Sequence, residues 1–249
     1  MYKRQVETGL FYVASTLAGV VAGIPTAVLS LMMPYLSGLK SGRGEAAEKA
    51  LRLSLAAAMP LAAVLIAYPE MPLMLLRREY LEAAPILRLL LAPLPLATYN
   101  MVVGSLLYAS AMYRLVAIRG VVTNLVSTLL YYPLALSMDG IGVAIARVAG
   151  ALVNFTLSIL FGAKVGFKPS PKRLALTCAA PLAPSLALAM LGAPAWIGAP
   201  VAIALSVIAY ARLGVVRREE LRAVYRTLPT PLATRLYPLL RPLVEAIYD

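Results

Sequence analysis

Histidine is absent from this chain of 249 residues, and cysteine and tryptophan occur once each, as Cys178 and Trp196. With no imidazole and one thiol, neither a disulfide framework nor a Cys/His metal site can be built, so no metal or cofactor is expected. Acidic residues are scarce too, eleven against 23 Lys plus Arg, and none lies within a long apolar run. A membrane enzyme or cation-coupled pump places carboxylates or histidines inside its crossings. The apolar part of this chain has no proton relay, no acid–base pair and no carboxylate cage, and an enzyme is not expected.

What the sequence has in abundance is hydrocarbon. Hydrophobic residues make up 61% and charged ones 14%, with a mean hydropathy of +0.81, too apolar for a water-soluble domain. Uncharged runs cover 8–39, 53–69, 89–113, 120–138, 140–163 (interrupted by Arg147) and 174–211. All but the second reach the roughly 18 to 20 residues that a bilayer crossing needs, and the second does so if its helix begins near Ala46. The last run is too long for one crossing. It is broken at "GAPAWIGAP" (192–200), where Gly and Pro end helices and Trp196 suits an interface. The expected fold is therefore all-α, a polytopic transmembrane helix bundle of about seven crossings near 8–38, 48–69, 83–112, 115–137, 140–163, 173–191 and 195–212. Lys3 and Arg4 precede an apolar run about twice the length of a signal-peptide core, so it reads as a retained helix.

Seven crossings sort the basic residues. One side takes seventeen of the 23, from 40–52, 114–119, 164–173 and 212–241; the other takes five, and Arg147 lies within a crossing. Because Lys and Arg accumulate in cytoplasmic loops, the amino end is expected outside and the carboxyl end in the cytoplasm, at a cell membrane. The net charge of +12 then faces anionic lipid rather than nucleic acid. Two domains follow: a bundle over 1–213, and a basic tail over 214–249 whose apolar residues recur at helical spacing, as in interfacial helices.

Polar residues inside the crossings are few. Arg147 is the charge well inside one, and a cavity-facing role competes with snorkelling to the interface and with an interhelical bond. Asn100, Asn124 and Asn154 are candidates for interhelical bonds or substrate contact. Asp139 is read as a helix cap. Gly19 and Gly23 form a Gly-x-x-x-Gly face, and "ARVAGA" (146–151) forms another small one. Prolines at 25, 34, 60, 93, 95, 133, 181 and 184 point to bent helices and favour a moving bundle over a static one.

The stretches "LMMPYLSGLKSGRGEAAEKALRLSLAAAMPLAAVLI", "LLRREYLEAAPILRLLL" and "SLLYASAMYRLVAIRGVVTNLVSTLLYYPLALSMDGIGVAIARVAGALVNF" resemble the polysaccharide and lipid-linked oligosaccharide flippases of the multidrug/oligosaccharidyl-lipid/polysaccharide exporter superfamily, over roughly residues 9–165. The shared features are a Pro-x-x-Ser turn at 34–37, a short basic loop, an Asn early in one helix and a tight Gly turn. The resemblance implies an alternating-access carrier of two lobes that moves lipid-linked saccharide precursors between leaflets. This chain looks like the second lobe plus terminal helices. Its implied partners are membrane lipid, the lipid-linked saccharide, and a separately encoded first lobe or a second copy. Arg147, with Asn100, Asn124 and Asn154, would meet the sugar-phosphate head. The alternatives are a multidrug or toxin exporter of the same superfamily and a non-transport assembly subunit.

The charge partition predicts a labelling pattern. In a Cys178-free background, single cysteines within 41–44 and after Leu228 should resist an impermeant thiol reagent in intact cells, and cysteines near Asp139 and Trp196 should react. A tail that reacts from outside reverses the orientation.

Overall fold

The structure, a computed structural model, describes residues 2–39 and 42–215; the tail expected over 214–249 lies outside the described residues beyond Val215. The described elements are all helical: α1 (Tyr2–Gly38), α2 (Arg43–Ala67), α3 (Glu70–Leu76), a 3₁₀ turn (Arg78–Ala83), α4 (Ala84–Leu91), α5 (Leu94–Ala109), α6 (Tyr113–Lys164), α7 (Pro171–Met190) and α8 (Ala195–Arg212). Five helices are long and apolar enough to cross a membrane, or six when the 3₁₀ turn and α4 are joined to α5 across a 41° bend. The protein is a multi-pass membrane helix bundle.

The 52 residues of α6 are more than one crossing needs, and the chain breaks at Asp139, where φ is 48° and ψ is −130°. Short polar Asp tolerates positive φ better than most residues, and Gly140 follows it. Asp139 thus turns the chain at the position just before the second limb. From there the two limbs, 113–138 and 140–164, run back along each other. Facing pairs step evenly away from the turn: a Cβ on Gly142 would meet the Leu134 carbonyl, one on Gly150 would meet Ser127 Oγ, and Arg119 bonds Ser158. Each limb is long enough to span, so with the bent pair taken as one span and the hairpin as two, the described residues hold up to seven crossings.

At the centre stands α2, which beyond Arg52 carries only Ser54 as a polar side chain, as suits a helix enclosed by others. Ala47, Ala50, Ala58, Ala62 and Ala63 on it are fully buried and let α1, α4, α5, α7 and α8 come close. The α6 hairpin packs mainly on α5, with α4 and α1 beside it, whereas α7 and α8 pack on α2. Tyr210 on α8 ties this second pair together by donating to the Thr177 carbonyl at 2.8 Å.

The helix ends segregate as seven alternating crossings require. At one end Arg43 donates to Leu39 O and Ala109 O, Arg52 to Val215 O, and the Ser170 N–H to Glu48. At the other, Gly140 lies against Phe11, the Glu7 carbonyl and Ile86. The described parts of the basic-rich loops therefore share one end of the bundle.

Prolines break the helices at fewer places than their number suggests. Pro60, Pro133, Pro181 and Pro184 stand within continuous helices, and the described break falls at Ala92–Pro93. Gly19 and Gly23 are exposed with nothing against them, whereas Gly150 of "ARVAGA" sits in the hairpin seam.

Because the Leu134 backbone cannot move aside without parting the limbs, Gly142→Ala should destabilise the hairpin by roughly 1–3 kcal/mol, the usual cost of overpacking. Gly120→Ala, where a Cβ meets nothing, should be neutral or slightly stabilising. Unfolding titrations in mixed micelles give both values. Equal behaviour of the two variants would remove the seam.

Candidate functional site

The interior charge that sequence patterning passed over is Arg119. Its neighbourhood, with Arg114 close by, reads as a loop, yet it stands six residues into α6 and turns inward. Its Nη1 donates to the main-chain carbonyl of Asn100 on α5 at 2.9 Å and to Ser158 Oγ on the second limb at 3.2 Å. Arg119 thus joins three helical segments. Among the described residues no carboxylate is within ion-pair distance of it.

The glycine at 104 makes this contact possible. Inside an α-helix the Asn100 carbonyl is already used by the N–H of residue 104, so a second donor must approach past that residue. A Cβ there would lie 2.6 Å from Arg119 Nη2. With none, the guanidinium reaches the second lone pair of the carbonyl.

Around Arg119 the polar groups are incompletely satisfied. Asn100 is 5% exposed; its Nδ2 donates to Ala151 O at 3.3 Å while its Oδ1 has no partner. Asn154 Oδ1 and Thr123 Oγ1 are also buried without partners, and the hairpin register places these two residues opposite each other. Three of the five such atoms among the described residues thus lie between α5 and the hairpin. Tyr99, next to Asn100, closes one side with an edge-on contact to Phe155 at 5.0 Å between ring centres.

The four residues expected at the site do not form one pocket. Asn100 and Asn154 converge on the seam. Asn124 is exposed on the outward face of the first limb, beside Val121, Leu125 and Leu129. Arg147 is exposed as well, with no bonded partner among the described residues. Its position still relates it to the seam, because residues 147, 151, 154 and 158 recur at spacings of four, three and four on one helix face. A polar strip therefore runs from an open end at Arg147 to a closed end at Ser158 and Arg119, about 16 Å apart by helical rise.

A separate cleft of about 400 Å³ opens at the basic-rich end, between Gly42–Glu45, Glu48 and Val165–Lys168. It mixes Arg43 and Lys168 with Glu45 and Glu48 and has no continuity with the strip.

No family model, curated protein or solved structure matches this chain. The site is accordingly read from its own chemistry: two arginines without carboxylates, and amide oxygens without donors, in a lipid-embedded helix bundle.

If Gly104 exists to admit Arg119, the two residues are energetically coupled. Gly104→Ala should destabilise the wild-type bundle, since hydrogen bonds from a charged group contribute about 1.5–3 kcal/mol. In an Arg119→Ala background the same change should be neutral or stabilising, because Ala is the better helix former by about 1 kcal/mol. A double-mutant cycle of micelle unfolding decides; additive effects would mean that Arg119 does not depend on Gly104.

Proposed function

We propose that this chain is one lobe of a membrane flippase that moves lipid-linked saccharide precursors across the cell membrane by alternating access. The observation that carries the reading is the strip from Arg147 to Arg119. A saccharide carried on a lipid phosphate needs cationic forks for the phosphate and neutral hydrogen-bonding groups for the sugar, while its tail stays in the bilayer. Guanidinium matches phosphate geometry with two parallel bonds, and the orphaned amide oxygens of Asn100 and Asn154 can accept from sugar hydroxyls.

In this reading Arg147, at the open end, binds the phosphate, and Arg119 closes the other end of the strip until the helices rearrange. Charged side chains within the membrane mostly face interiors or aqueous cavities, and an exposed Arg147 calls for a second body across from it. That body is a first lobe or a second copy of this chain, since alternating access requires two units rocking about a shared site. A carrier of cationic drugs would instead need carboxylates at this depth, and the acidic residues on the described helices stand within two turns of a helix end or at the Asp139 turn.

The test uses vesicles and a fluorescent lipid-diphosphate saccharide. The chain purified as a monomer should not flip it, whereas chain purified from its native membrane together with its partner lobe should. In the active preparation Arg147→Ala should abolish flipping with insertion unchanged, and Arg147→Lys should keep part of it, as a point charge still attracts phosphate without the bidentate fit. Binding of the same probe in detergent should weaken about tenfold or more with the alanine variant, matching the loss of a charge-assisted bond of about 1.5–3 kcal/mol. Normal flipping by Arg147→Ala, or robust flipping by the monomer, overturns the proposal.

A further inference from the structure

The segment between α2 and α4 is too short to cross a membrane and too apolar to belong in water. In α3, Leu73 is fully buried and pins the helix to the bundle, while Met71, Met74, Leu75 and Leu76 are 38%, 53%, 81% and 52% exposed. Large apolar side chains clustered at such exposure mark an interaction surface. Arg77 and Arg78 follow directly and are exposed, as are Glu79 and Glu82.

The position of α3 is fixed by its neighbours. Arg88 of α4 donates through Nε to the Ile66 carbonyl near the end of α2 at 3.0 Å, and through Nη2 to Glu70 at the start of α3 at 3.4 Å. This clamp holds α3 at the mouth of the bundle, level with the last turn of one crossing and the first of the next. A structure at that level sits where hydrocarbon gives way to head groups. The order of residues fits the same gradient, with four aliphatic side chains followed by two guanidinium groups that suit phosphate.

We infer that α3 is an interfacial element whose occupant is the phospholipid bilayer: Met71, Met74, Leu75 and Leu76 enter the acyl boundary of the leaflet at that end, and Arg77 and Arg78 bind lipid phosphates. Such elements insert to about 5–10 Å. The element ties the ends of two crossings to the leaflet, so that motion between α2 and α5 is referenced to the membrane surface. Nothing in this inference depends on what the bundle carries.

The single tryptophan makes the test direct. Leu75→Trp in a Trp196→Phe background places the only indole on α3, at a side chain that packs against little, and Trp196 is itself 72% exposed. In phosphatidylcholine vesicles its emission should be blue-shifted, lost on substituting lipids brominated along the acyl chain, and insensitive to aqueous acrylamide. Adding Arg77→Glu and Arg78→Glu should shift the emission towards the red and restore acrylamide quenching; far-ultraviolet circular dichroism must match wild type throughout. Red emission quenched by acrylamide in the first variant overturns the inference. So does blue emission untouched by brominated lipid, which would mean that protein, such as a second copy, covers α3. Unchanged emission after the charge reversals removes the role of the two arginines.

Discussion

A guanidinium inside a lipid-embedded bundle constrains everything near it, because hydrocarbon offers it no hydrogen bonds and charge at the bilayer centre costs at least about 2.5–3.5 kcal/mol. Arg119 meets that demand with neutral acceptors on two other segments, Asn100 O and Ser158 Oγ. The bond to Ser158 requires the second limb to return alongside the first in one register, which the turn at Asp139 and the glycines at 142 and 150 permit. The bond to Asn100 O requires α5 to present a carbonyl unshielded by a Cβ, which fixes residue 104 as glycine. The packing of α5 against the hairpin is in this sense organised by one side chain.

Much of the fold was legible from hydropathy and turn chemistry. The turns at Asp139–Gly140 and Gly192–Pro194 declare themselves, and the segregation of basic loops at one end follows from alternation. Where prolines break a helix was not legible. Pro60, Pro133, Pro181 and Pro184 look like breaks in sequence, but neighbouring helices can hold a proline-containing helix together by re-satisfying the freed backbone groups. The break near Pro93 has the same local signature, and only tertiary packing separates it from the others.

The site was half legible for a similar reason. Arg147 stands out because it interrupts a long uncharged run. Arg119 does not, since the run on its carboxyl side begins at Gly120 and Arg114 precedes it, so hydropathy alone assigns it to a loop. The clue was available in the helical spacing of 113–138, which already makes residue 119 interior. The three asparagines are indistinguishable by composition, yet Asn100 and Asn154 face the seam and Asn124 faces out. Which face a residue occupies depends on the rotation of its helix, and apolar residues all around that helix leave the rotation unmarked.

Hydrogen-bond satisfaction then separates two polar features that look alike in sequence. The outward face of α1 carries Tyr12, Thr16, Gly19, Gly23, Thr26 and Ser30, a stripe that resembles a cavity lining. Yet Thr16 bonds Tyr12 O, Thr26 bonds Ala22 O and Ser30 bonds Ala27 O, so these hydroxyls are satisfied within their own helix and lipid can tolerate them. Asn100 and Asn154 have no such recourse, because their side-chain oxygens need donors, and helix carbonyls supply none. An orphaned acceptor in hydrocarbon is costly, and it is cheapest to keep where a donor arrives from outside the chain. On the proposed reading that donor is a sugar hydroxyl, and the two arginines bracket the place where it would bind. Their separation of about 16 Å is roughly half of a hydrocarbon core about 30 Å thick. A head group handed from one to the other would complete half of the passage on the surface of a single helix hairpin, leaving the remainder to the motion of the bundle.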